Sequence, residues 1–222
     1  ANETLYDFKV LYLAPTKALC SERKDDWSKK FAPLGITVGM LTGDTSYKEA
    51  ESVRNSNIII STPEKWDMIT RKWNDYKKLF SLIKLLLVDE VHVLKEPRGA
   101  TLEVVITRMK RICVGLRILA ISATVANAHD ISTWLDAETL TFGEEYRAVK
   151  LQKIVYGYRP SNENDFSFDN QLNSKLVEII SKHSLGKPVL IFCATRNSCQ
   201  FTAKFLAEKV IAKGSILKLK DR

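Results

Sequence analysis

The sequence predicts an α/β fold, a parallel sheet flanked by helices, and three observations carry that prediction. Short runs rich in Val, Ile and Leu recur along the chain. Most are continuous rather than alternating, the mark of strands buried on both faces. Between them lie segments whose apolar residues return every three or four positions, as on one face of a helix. Strand, helix, strand repeated in this way implies right-handed crossovers and parallel strands.

The elements follow in order. FKVLYLAP (Phe8–Pro15) is the first strand, and KALCSERKDDWSKKFAPL after it reads as a helix. ITVGML (Ile36–Leu41) and NIIIST (Asn57–Thr62) are the second and third strands, the third leading into the helical PEKWDMITRKW. KLLLVDE (Lys84–Glu90) is the fourth, TLEVVITRMKRI a helix, and LRILAISAT (Leu116–Thr124) the fifth strand. From Glu144 to Asn170 the pattern loosens: EEYRAVKLQKIVYGYRP suggests one or two extended segments, and SNENDFSFDN is polar without a period. A helix (Gln171–His183), a strand (Pro188–Cys193) and a helix (Asn197–Val210) then follow. The expected organisation is a first domain over 1–145, a connector over 146–170 and the beginning of a second domain over 171–222. The last part, about 50 residues, is short for a complete α/β domain, so the chain is expected to be a piece of a longer protein.

Composition narrows the function. The 34 Lys and Arg against 26 Asp and Glu leave a net charge of +8. That balance favours an anionic partner, nucleic acid first and an acidic membrane face second, although a merely basic protein has it too. The four cysteines, Cys20, Cys113, Cys193 and Cys199, form no C-x-x-C pair and no zinc spacing with the three histidines. They are expected to be buried free thiols, which suits a reducing compartment, cytosol or nucleus. The N-terminus has no signal-peptide pattern, and no apolar run approaches the roughly 18 residues of a membrane span. Trp27, Trp66, Trp73 and Trp134, at helical spacing among apolar residues, are expected in the core rather than stacked on bases.

Ligands of open parallel sheets bind at the carboxyl ends of the strands, and the residues at those ends are polar here. Ala14-Pro15-Thr16-Lys17 follows the first strand and Ser61-Thr62-Pro63-Glu64-Lys65 the third. Asp89-Glu90-Val91-His92 follows the fourth, Ser122-Ala123-Thr124 the fifth, and Cys193-Ala194-Thr195-Arg196 the last. Asp89 leaves a buried strand end, where one carboxylate suits a magnesium ion whose other ligands are waters and phosphate oxygens. Glu90 beside it suits the group that positions or deprotonates an attacking water. The rival reading is a pair of solvated acids capping the next turn. Lys17 and Lys65 likewise read as phosphate contacts or as solvated helix starts, and Thr16 and Thr62 as phosphate contacts or helix caps, two roles that one threonine can combine.

In this order and spacing the motifs resemble superfamily 2 helicases. Asp-Glu-Val-His and Ser-Ala-Thr look like motifs II and III, APTKAL (Ala14–Leu19) like motif Ia, and TGD (Thr42–Asp44) like the glycine motif after it. TPEKWD (Thr62–Asp67) looks like motif Ib and PVLIFCATR (Pro188–Arg196) like motif IV of a second RecA-like domain. RGATLEVVITRMK (Arg98–Lys110) and YRAVKLQKIVYGY (Tyr146–Tyr158) resemble the Ski-two-like branch. TPEKWDMITRKW, FDNQLNSKL and IFCATRNSCQ are similar to the meiotic crossover DNA helicases of the Mer-three/HFM type. The resemblance implies RecA-like domains, ATP and Mg2+ as cofactors, a nuclear location and 3′-to-5′ unwinding of single-stranded or branched DNA. It gives Asp89 and Glu90 to magnesium-ATP and hydrolysis, with Asp89 the metal residue. It gives His92, Ser122, Ala123 and Thr124 to coupling of nucleotide state with domain movement. Thr16, Lys17, Thr42, Gly43, Thr62, Lys65, Thr195 and Arg196 would track a nucleic-acid strand.

One family feature is missing. A P-loop needs Gly-Lys-Ser or Gly-Lys-Thr opening a helix, and the chain offers only Gly186-Lys187-Pro188. That loop is expected ahead of Phe8, and motifs V and VI beyond the other end, so the chain alone is expected to bind ATP poorly and to hydrolyse none. Three functions follow: a DNA helicase of meiotic recombination, an RNA helicase of the same branch from splicing or RNA decay, or a non-catalytic nucleic-acid-binding product.

Overall fold

The computed structural model describes residues 8–45, 51, 53–123, 125–160 and 165–212. The chain divides into two compact units, Ala1–Phe142 and Gly143–Arg222.

The first unit is built on five parallel strands: β1 (Lys9–Leu13), β2 (Val38–Leu41), β3 (Ile58–Ser61), β4 (Ile83–Val88) and β5 (Arg117–Ala120). Their order is β2-β3-β1-β4-β5. Leu13 is level with Ser61 of β3 on one side and Val88 of β4 on the other. The chain starts in the middle, fills one side, then crosses β1 to fill the other. The crevice at the carboxyl ends of β3, β1 and β4 is therefore the topological switch point, where such sheets bind ligands.

The helices described in full are α1 (Lys17–Phe31), α2 (Pro63–Arg71), α3 (Lys77–Leu82), α4 (Gly99–Ile112) and α5 (Ala128–Leu135). The period of two along each strand sorts the core onto two faces. Leu11, Leu13, Ile59, Leu86 and Val88 pack with Trp66 of α2, Phe80 of α3 and Val105, Ile106 and Met109 of α4. Tyr12, Ala14, Ile58 and Ile60 pack on the other face with Cys20, Trp27 and Phe31 of α1. Each fully buried aliphatic side chain stabilises the unit by about 1.5–3 kcal/mol. No helix among the described residues is long and apolar enough to cross a membrane.

The structure departs from the sequence expectations at several points. The fifth strand is covered on one face only: Ile118 and Ala120 pack on the core, while Leu119 and Ile121 are exposed. In the second unit, Pro188–Cys193 is not a strand. A strand exists through its ladder, and among the described residues no partner pairs with this segment, whose Val189, Leu190 and Phe192 are exposed. The helix before it, α6 (Asp165–His183), starts six residues ahead of Gln171. The last helix is α7 (Arg196–Ala212). Trp66 is fully buried and Trp27 and Trp134 pack against the core, but Trp73 is 40% exposed beneath the Lys77 ammonium.

The cysteines divide as well. Cys20 and Cys113 are buried, Cys193 is half-buried and Cys199 is exposed. Burial pushes the Cys20 and Cys113 thiols up to about 11. Brief iodoacetamide treatment near pH ~8 is expected to label Cys199 and to spare Cys20 and Cys113 until the protein is denatured. Peptide mass spectrometry reads the difference.

Candidate nucleotide and nucleic-acid site

Three strand ends meet at the switch point. After β1 the backbone of Thr16 is extended, and its Oγ1 accepts from the Leu19 N–H at 3.3 Å, capping α1. After β3, Thr62 does the same for α2, accepting from Lys65 N at 3.4 Å, with Pro63 at the first helical position. Both threonines are therefore caps. Each also places a helix N-terminus, with its unspent N–H groups and positive dipole end, at the carboxyl edge of the sheet, an arrangement suited to phosphate.

The third end is β4. Asp89 extends the ladder by one bond, its N–H donating to Leu13 O at 2.9 Å. Its Oδ1 accepts from the Glu90 N–H at 3.0 Å, and its Oδ2 accepts from the Tyr12 hydroxyl. Tyr12 and Leu87 share the α1 face of the sheet, and Asp89, two residues past Leu87, continues it. Burial, then the bond to Asp89, pushes the Tyr12 phenol well above its ordinary range, so it remains a donor at neutral pH. Glu90 is left-handed (φ 53°, ψ 48°), a conformation costing about 1–2 kcal/mol outside glycine. Buried Val91 holds it there: the Val91 N–H donates to Ile121 O at 3.0 Å, and the chain enters a 3-10 turn over Val91–Lys95. The bend leaves Glu90 Oε2 3.2 Å from His92 Nδ1, and Ser122 Oγ beyond β5 lies 3.4 Å from the same nitrogen. Glu90, His92 and Ser122 thus form one polar chain across the ends of β4 and β5. Ala123 follows Ser122 without a polar side chain, and Thr124 lies outside the described residues.

At the far end of the crevice Thr42 is buried, its N–H donating to Thr45 Oγ1 at 2.8 Å in a tight turn. Lys17 pairs with Asp44 at 2.6 Å, both largely exposed. These residues, with Ser21 and Lys24, line an open cavity of about 530 Å³. A Cβ on Gly43 would lie 3.6 Å from the Lys17 ammonium, an ordinary contact, so the turn tolerates glycine there without requiring it. Thr195 and Arg196 belong to the second unit. There Thr195 caps α7, accepting from Ser198 N at 3.1 Å, and Arg196 opens the helix.

Sequence reasoning missed three residues of this region. Tyr12 carried a usable signal, a tyrosine on the strand face that Asp89 shares. Glu64 and Arg98 carried none, because their pairing brings together residues 34 positions apart. Arg98 Nε donates to Glu64 Oε1 at 2.9 Å and its Nη2 to Pro15 O at 2.8 Å. Burial works to raise the Glu64 carboxyl, but Arg98, the Glu64 backbone N–H and the Thr62 hydroxyl together outweigh it and hold the group below its ordinary 4.5.

Among the described residues no three metal-binding side chains cluster. A magnesium ion held with a nucleotide does not require three, since it keeps waters and phosphate oxygens. Asp89 fits that part, because each of its oxygens accepts one hydrogen bond and keeps lone-pair capacity. A Gly-Lys-Ser/Thr phosphate cradle is not among the 222 residues.

A family profile described as DEAD/DEAH box helicase matches residues 2–131. The ATP-dependent DNA helicase MER3 of Saccharomyces cerevisiae is 52% identical over 211 residues, covering 92% of this chain and 18% of that protein. The pre-mRNA-splicing factor brr2 of Schizosaccharomyces pombe is 33% identical over 220 residues, 96% of this chain and 10% of that protein. The chain thus spans less than a fifth of the length of these relatives. In fold it is similar to the DUF1998 helicase MrfA bound to DNA and AMPPNP, with a TM-score of 0.69 at 21% identity over 93% of this chain and 30% of that one. The parallel sheet, the acids at its switch point and a profile match over more than half of its residues lead to one assignment: the chain belongs to the DEAD/DEAH box helicase family.

Proposed function

We propose that this chain is part of the motor of an ATP-dependent, 3′-to-5′ DNA helicase that acts in the nucleus in meiotic homologous recombination. Residues 1–145 are most of its first RecA-like domain, 146–170 a connector and 171–222 the beginning of the second. The observation that carries the reading is the Asp89–Glu90–His92–Ser122 chain standing beside two capped helix starts at one sheet edge. Identity of 52% with a DNA helicase supports the choice of DNA.

Asp89 would hold Mg2+, which with bound ATP supplies charge neutralisation at the phosphates. Glu90 orients the attacking water and takes its proton. His92 and Ser122, with Ala123 and Thr124, report the state of that carboxylate to the second domain. Thr16, Lys17, Thr42, Gly43, Thr62 and Lys65, with Thr195 and Arg196, hold the backbone of a single or branched DNA strand without reading its bases. The isolated 222-residue chain binds ATP weakly and does not turn it over, because other parts of the protein supply the phosphate cradle.

The RNA-directed reading has its own support in the 33% identity with a splicing factor across nearly the whole chain. ATP hydrolysis by the full-length protein, with single-stranded DNA and RNA offered separately, decides between the two. Stimulation by DNA, together with unwinding of 3′-tailed but not 5′-tailed duplexes, is expected. Stimulation by RNA alone would move the protein to RNA processing. No turnover with either polymer would leave a non-catalytic binding module.

A further inference from the structure

A path of tight contacts runs from Glu90 to the nucleic-acid edge, and its last link is a residue that none of the roles above uses. Glu90 opens the 3-10 turn Val91–Lys95, and that turn is locked onto the start of α4. Gly99 lies so close to it that a Cβ there would stand 2.1 Å from Leu94 O and 2.4 Å from Leu94 C. Only glycine fits, so the turn and the helix start move together. Arg98, the residue before, carries the connection across the crevice. Its guanidinium joins the Glu64 carboxylate, inside the turn that Thr62 caps, to the carbonyl of Pro15, directly before Thr16. Arg98 and Asp89 line the same narrow cleft.

The geometry points to Arg98 as a positioning residue that links the Thr16 and Thr62 loops to the Glu90 turn, so that a strand bound at those loops orders the hydrolytic carboxylate. The inference rests on the proposed nucleic-acid role of those loops. Arginine suits the task because its planar fork meets a carboxylate and a carbonyl at once, which the point charge of lysine does not. The ion pair is half-exposed, so it adds little to global stability, and its main effect is to fix two loops relative to one turn.

The test is hydrogen exchange on the full-length protein without nucleotide, with and without single-stranded DNA or RNA, for the native sequence, Arg98→Ala and Arg98→Lys. In the native protein the polymer is expected to slow exchange locally, over residues 14–17 and 62–66, and remotely, over 89–95. Both variants are expected to keep the local slowing and to lose the remote one. Should Arg98→Ala fail to fold, Arg98→Lys, which keeps the charge, carries the test by itself. Remote slowing that survives in the variants, or that is absent from the native protein while the local slowing is present, overturns the link. Absence of local slowing with either polymer overturns the nucleic-acid assignment of Thr16, Lys17, Thr62 and Lys65, and the inference with it. Because no hydrolysis is read, failure of the motor and failure of the link remain separate results.

Discussion

Replacing Glu90 with glutamine is expected to lower polymer-stimulated ATP hydrolysis by the full-length protein about 10²–10⁴-fold, the usual contribution of a positioned general base. The substitution keeps the shape of the side chain and an oxygen to orient water, but removes the charge and the basicity. The left-handed backbone is held by Val91 and its bond to Ile121 O, not by the carboxylate, so the turn should persist. The loss therefore falls on kcat, with KM for ATP little changed, the pattern of an interaction made chiefly in the transition state. Binding of single-stranded DNA should be retained, since Thr16, Lys17, Thr62 and Lys65 are untouched. Steady-state hydrolysis and DNA binding, measured on one preparation, check both halves. Equal hydrolysis by the two proteins would make Glu90 a solvated acid with no part in the chemistry.

The parts of the molecule that could be read from the sequence are those whose signal is local. β1, β3 and β4 read as apolar runs because each has a neighbour on both sides and most of its positions are covered, with Lys9 and Lys84 the only charges, near the strand starts. Asp89 and Glu90 are visible because acids interrupt such a run only at its end. Thr16 and Thr62 announce two helix starts by the ordinary chemistry of capping. The rest depends on distance in space. Leu119 and Ile121 have the composition of buried residues, but exposure is decided by whether something packs over them, which no run of letters states. Phe192 and its neighbours have strand propensity, but among the described residues no segment pairs with them, and a ladder needs two segments. The short helices α3 and α5 have too few turns for a period to rise above noise, and neither has the side-chain cap that marks the start of α2. Arg98 shows the limit most clearly: its role lies in meeting Glu64 and Pro15, which only the folded crossovers bring to it. Tyr12 stands between these cases, placed by the strand period but given meaning by its bond to Asp89.

Trp66→Ala is expected to be the most damaging single change to stability, at about 3–5 kcal/mol, the range for truncating a large buried aromatic. Trp66 is fully buried where α2 meets α4. Its ring stands edge-on to Phe80, with centroids 6.0 Å apart, and its Nε1–H donates to Met109 Sδ at 3.2 Å. Alanine would leave a cavity that rigid helices on a sheet cannot collapse to fill, whereas phenylalanine keeps much of the packing, leaves a smaller void and loses a weak bond to sulfur. Trp66→Phe should therefore cost clearly less than Trp66→Ala. The exposed Trp73 supplies the control, since Trp73→Ala should stay within about 0.5 kcal/mol of the native protein. The three urea midpoints of the first unit's transition test the order. The effect should reach the site as well, because α2 also carries Glu64 and Lys65, and Thr62 is its cap. A helix seated on a void holds its first turn less firmly, so at temperatures where Trp66→Ala is still folded, its affinity for single-stranded DNA should fall while that of Trp73→Ala does not. An equal fall in both would place the binding determinant on the exposed tryptophan rather than on the edge that Trp66 supports.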